Sequence, residues 1–94
     1  MYLSFEQKRS IFNSFPLTEI PISYERFNYH FEGSNRSKKV VITQLSRKTG
    51  NGYVYGGYLQ NSTYKLDSRG WIKVKDFDES TLRELVKKAI QSFI

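Results

Sequence analysis

Residues 82–93 carry Leu82, Leu85, Val86, Ala89, Ile90 and Phe93 at spacings of three and four, with Arg83, Glu84, Lys87 and Lys88 between them. That period places the apolar set on one stripe of a helix and the charges on the other. Asp78 or Ser80 supplies an N-cap, and Glu79 suits the positive end of the helix dipole. A shorter stripe (Phe5, Ile11, Phe12, Phe15) predicts an N-terminal helix, with Glu6, Lys8, Arg9 and Asn13 on its other sides. Ser4 and Gln7 stand in capping-box positions. Pro16 ends this helix, because the residue before a proline avoids the helical region. Pro21 keeps residues 16–21 as an irregular or extended connection.

Between the two helices the period changes to two. Phe27, Tyr29 and Phe31 alternate with Arg26, Asn28 and His30, so residues 22–32 read as a strand. Residues 38–46 read as a second strand, 53–60 as a third and 71–75 as a further one. Tyr64-Lys65-Leu66 is a candidate short strand. Gly33-Ser34-Asn35 and Asp67-Ser68-Arg69-Gly70 are turn clusters. Asn51-Gly52 between apolar runs is a hairpin signal, since both residues tolerate positive φ. A two-residue turn there pairs Lys48 with Tyr55, beside Tyr53; a longer loop flips that register. Gly56-Gly57 marks a bulge, a bend or a close backbone approach.

The predicted order is α-β-β-β-(β)-β-α. Sequential strands joined by short turns pair antiparallel, and two amphipathic helices need one sheet face to cover. The expected fold is therefore α+β: a two-layer domain spanning residues 1–94, with three to five strands and both helices packed on one face. The chain of 94 residues has 16% aromatic residues, enough ring area for a core, and is one domain's length.

Composition excludes several classes. There is no Cys, so neither disulfides nor thiolate metal sites are expected. No apolar run is long enough to span a membrane, and the N-terminus lacks the apolar stretch of a signal peptide, which points to a cytoplasmic protein. His30, the single histidine, has no recognisable nucleophile motif to serve. Asp76, Asp78 and Glu79 match no EF-hand spacing and read as helix-capping groups. Gly50-Asn51-Gly52 lacks the Lys-Ser/Thr and the helix of a phosphate loop. Asn35-Arg36-Ser37 and Asn61-Ser62-Thr63 fit the glycosylation pattern, which means little without a signal peptide. No enzyme, cofactor or metal is expected.

The charge distribution carries the functional content. Residues 33–75 hold nine Lys and Arg against the single Asp67, a balance of +8, while the flanking segments are each −1. All seven Phe lie outside that segment; Tyr53, Tyr55, Tyr58, Tyr64 and Trp71 lie inside it. Phe favours a dry core, whereas Tyr and Trp tolerate a wet surface. Cations that meet phosphates, interleaved with rings that stack on unpaired bases, suit single-stranded DNA or RNA. In the strand at 71–75, Ile72 and Val74 face the helices, and Trp71, Lys73 and Lys75 share the open side. The candidate stacking residues are Trp71, Tyr53 and Tyr55; the candidate phosphate contacts are Lys73, Lys75, Arg47, Lys48, Lys38 and Lys39. The alternative use of this surface is a protein partner or a second copy of the chain.

The element order resembles that of double-stranded-RNA-binding domains. Those present basic groups at the start of the last helix, where this chain has Asp76, Asp78 and Glu79, so no family is assigned.

Overall fold

Ser4 opens the first helix through reciprocal bonds. Its hydroxyl accepts from the Gln7 N–H at 3.1 Å, and the Gln7 carboxamide accepts from the Ser4 N–H at 2.8 Å. Two amides that helix geometry would leave unpaired are thus satisfied. In the computed structural model, which describes residues 3–59 and 64–94, this helix is α1 (Phe5–Asn13). Five strands and a second helix follow: β1 (Thr18–Ser23), β2 (Arg26–His30), β3 (Val40–Ser46), β4 (Tyr53–Tyr55), β5 (Trp71–Lys73) and α2 (Glu79–Ser92). The Asp78 side chain caps α2 by accepting from the Thr81 N–H at 2.8 Å.

The strands lie side by side in chain order, each antiparallel to the next. Phe27, Tyr29, Ile42, Leu45, Val54, Ile72 and Val74 are buried on one face of this meander. Ile11 and Phe12 of α1 and Leu82, Leu85, Val86, Ala89 and Ile90 of α2 complete the core. The expected two-layer α+β fold is the observed one. Among the described residues no helix is long and apolar enough to cross a membrane.

Four local expectations need correction. Residues 16–21 are not merely a connection: β1 runs through Pro21 and pairs with β2. A proline has no N–H for the ladder, and an edge strand tolerates that loss. The strand expected over 22–32 is accordingly divided by a turn at Tyr24-Glu25, with Ser23 opposite Arg26. The β3–β4 connection spans residues 47–52 rather than two residues. In it Gly50, at φ +71°, donates to the Ser46 carbonyl at 2.9 Å, and Ser46 donates to the Asn51 carbonyl at 2.8 Å. The longer loop sets Tyr53 opposite Thr43, so the Lys48–Tyr55 pairing does not form. Tyr64-Lys65-Leu66 is not a strand.

The remaining strand limits are narrower than expected. The third strand closes at Tyr55, and its expected end at Gln60 lies outside the described residues, as does the Asn61-Ser62-Thr63 sequon. Beyond it, a Cβ on Gly56 would collide with the Ile72 side chain, which accounts for the glycine by close approach.

A fifth correction concerns Lys8, expected on the outer side of α1 but fully buried. Its ammonium donates to the carbonyls of Leu3 at 2.9 Å and Lys75 at 3.2 Å. Those oxygens replace water, while burial pushes the lysine pKa down and nearby Asp76 pulls it back up.

Between α1 and the sheet, one carboxylate gathers four donor groups. Glu19 of β1 accepts from Arg9 Nε at 3.0 Å, Arg9 Nη2 at 2.8 Å, Asn13 Nδ2 at 3.0 Å and the Tyr29 hydroxyl. The Arg9 guanidinium holds the Glu19 carboxyl down at about 2, against the upward push of burial. Burial, reinforced by that carboxylate, raises the Tyr29 phenol well above its ordinary value.

Candidate nucleic-acid interface

The sheet face away from the helices is built by the same alternation that fills the core. With Val54 and Ile72 turned inward, their neighbours turn outward. Tyr53 lies opposite Lys73, and Tyr55 opposite Trp71. On the other side of β4, Thr43 faces Tyr53. Four of the expected site residues, Tyr53, Tyr55, Trp71 and Lys73, therefore come together on two adjacent strands.

Shallow depressions run across this face, and Tyr53 lines each of the three described here. One, of about 390 Å³, lies between Tyr53, Trp71, Lys65, Leu66 and Lys73. The next, about 350 Å³, adds Thr43, Gln44 and Arg69. The third, about 300 Å³, continues to Arg26, Ser46 and Asn51. Together they form a track from β5 to β2 with a half-buried ring at its centre and Lys65, Lys73, Arg69 and Arg26 along it. Asp67, the acid of this segment, lies in the same track. Its Oδ1 accepts from the N–H groups of Arg69 at 2.8 Å and Trp71 at 3.0 Å, and these bonds lower its pKa. The carboxylate thus shapes the turn that delivers Trp71.

Tyr55 and Trp71 belong to an aromatic group that reaches the core. Their ring centroids are 5.0 Å apart at 71°. Tyr55 also meets Tyr58 at 5.1 Å and the buried Phe93 at 6.1 Å. Lys38 lies 4.7 Å from the Tyr55 ring centre and 5.2 Å from that of Trp71, and Arg36 lies 4.6 Å from that of Tyr58. Such cation–ring contacts are attractive and fix the loop between β2 and β3 against the end of the sheet. Tyr55 is mainly a packing ring here, whereas the half-buried Tyr53 borders all three depressions of the track.

The other expected residues lie elsewhere. Arg47 stands over Phe5 and Phe27, at 5.1 and 5.6 Å, beside the start of α1. Lys48 pairs with Glu25 at 3.4 Å. Both border a separate depression with Ser4, Phe5 and Glu6. Lys39 reaches the Glu32 carbonyl at 3.4 Å, and Lys75 lies past the end of β5, where its carbonyl receives Lys8.

Lys65, Arg69, Arg26 and Gln44 line the track and were missing from the expected set; Lys65 and Arg69 lie within the basic segment 33–75. Arg26 was legible as outward-facing from its alternation with Phe27 and Tyr29, but it falls outside the basic segment 33–75. Gln44 had no sequence signal. From Tyr29 to Phe27, β2 advances two residues, while β3 advances three from Ile42 to Leu45. The extra residue is a bulge that puts Gln44 at φ +59°, a left-handed conformation uncommon outside glycine. Asn28 holds it there: its Oδ1 accepts from the Gln44 N–H at 3.2 Å and from the Thr43 hydroxyl at 2.7 Å. The chain matches no family model, no curated protein and no solved structure.

Proposed function

We propose that this protein is a non-enzymatic, cytoplasmic module that binds single-stranded nucleic acid across the open face of its sheet. The supporting observation is the track that crosses this face, with Tyr53 in each of its depressions and Lys65, Lys73, Arg69 and Arg26 beside it. A base stacks on Tyr53 and its neighbour on the free side of Trp71, while the cations take up the phosphates. Strands without a partner strand are favoured because a duplex hides the faces of its bases.

Titrating Trp71 fluorescence with single-stranded DNA, single-stranded RNA and duplex, at about 50 and 200 mM salt, tests this. Saturable quenching by single strands that weakens steeply at the higher salt is the expected result. Absence of binding at both salt concentrations overturns the proposal.

The second reading, a surface for a protein partner or a second copy of the chain, draws on the same half-buried Tyr53 and Trp71, since such rings are enriched at interfaces. A stable dimer in sedimentation equilibrium that occludes Trp71 would favour it.

A further inference from the structure

An amide side chain offers one acceptor oxygen and two N–H donors. Along the track, three amide oxygens are already occupied. Asn28 Oδ1 takes the Gln44 N–H and the Thr43 hydroxyl. Gln44 Oε1 takes Arg26 Nη1 at 3.0 Å. Asn51 Oδ1 takes the Gly52 N–H at 2.9 Å. Each receives a main-chain N–H or a guanidinium, groups that only donate, so the orientation of each amide is determined. In the depression lined by Arg26, Gln44, Asn51 and Tyr53, which the Asp67 carboxylate does not border, the groups left for a ligand, beside a second lone pair on the Gln44 and Asn51 oxygens, are mostly donors. They are the Gln44 NH2, the other N–H groups of Arg26 and the Tyr53 hydroxyl proton; the Tyr53 oxygen is within 3.5 Å of Asn51 Nδ2.

A surface of donors selects a base edge made of acceptors. Guanine presents O6 and N7 side by side on one edge. Adenine places an amino group beside N7, and cytosine carries an amino group at N4, so each sets a donor against donors. Thymine offers O4 without an adjacent second acceptor. We infer that the Arg26–Gln44 end of the track reads guanine in a single strand, donating to O6 and N7 while the base lies against Tyr53. This rests on the reading of the open face as a single-strand surface and gives it a base preference. The bulge has a role in that arrangement, because the left-handed turn at Gln44 is what brings its side chain into both depressions beside Tyr53.

The test uses the full chain and thymine heptamers with one central position varied: guanine, inosine, 7-deazaguanine, adenine, cytosine or thymine. A single guanine avoids quadruplex formation. Guanine and inosine, which both keep O6 and N7, should bind about fivefold to tenfold tighter than adenine or cytosine. Removal of N7 in 7-deazaguanine should bring affinity down to the adenine level. Gln44→Gly accepts the local backbone without strain and should bring guanine down to adenine as well. Equal affinities for all heptamers, with binding intact, overturn the inference and leave the proposed function standing. A guanine preference that survives both Gln44→Gly and Arg26→Ala overturns it too. If no heptamer binds, both fall.

Discussion

Two polar clusters sit on opposite faces of the same sheet and are built in opposite ways. On the covered face, Arg9, Asn13 and Tyr29 all converge on the Glu19 carboxylate. That cluster is closed: donors and acceptors satisfy one another, and the product is a fixed distance between α1, β1 and β2. On the open face, the amide oxygens of Gln44, Asn28 and Asn51 accept from neighbouring groups, Arg26 gives one N–H to Gln44, and the remaining amide and guanidinium N–H groups are left over. The open cluster keeps N–H groups that solvent satisfies and that, in the proposed function, a bound base would take up. Saturation of a polar group by its neighbours is what distinguishes the two clusters, because both mix charge and amide and both lie beside a tyrosine; the proposed recognition role draws on the unsaturated one.

The largest effect comes from breaking the closed side. Tyr29→Ala removes a fully buried ring and a donor to Glu19, and should cost about 3–5 kcal/mol of stability in urea unfolding. A loss below about 1 kcal/mol would show that the covered cluster is not structural. On the open side, Tyr53→Ala should weaken single-strand binding by about 1–3 kcal/mol while leaving stability within about 1 kcal/mol. Trp71 stays in place to report both.

Acid sharpens the contrast. The Glu19 carboxyl titrates at about 2 in the fold, below the value of about 4.3 expected unfolded. Its contribution is therefore fully present above about pH 4.3 and is lost as pH falls toward 2, by about 1–2 kcal/mol after allowance for solvent screening. Glu19→Gln should be less stable at neutral pH and show a correspondingly flatter acid limb. An unchanged acid limb would assign the pH dependence to other groups. Smallest is the comparison between two lysines. Lys73→Ala should lower the salt slope of binding by about one phosphate contact, and Lys48→Ala, on the other side near Glu25, should leave it unchanged.

The two helices, the Ser4 and Asp78 caps and the inward set Phe27, Tyr29, Ile72 and Val74 were legible in the sequence, because each depends on residues a few positions apart. So was the grouping of Trp71 with Lys73. The features that escaped depend on contacts between distant parts of the chain. Lys8 is buried because the carbonyl of Lys75 lies above it. Tyr55 is taken into packing because Phe93 arrives beneath it. Gln44 takes its conformation from a mismatch of one residue between β2 and β3, which neither strand displays alone. Pro21 argued for a break and instead marked an edge. Charge counted by segment also drew Arg47, Lys48, Lys39 and Lys75 into the expected site, since a segment average does not say which side of a strand or loop a cation occupies.

Phe93 also sets a timetable. Its ring is fully buried against Tyr55 and Tyr58, and its carbonyl receives the Asn35 N–H at 2.8 Å. The strands pair with their neighbours in sequence and can assemble as they leave the ribosome, but their apolar face waits for residues 82–93 to follow. Until then the part of that face which α1 does not cover is exposed and adhesive to other chains.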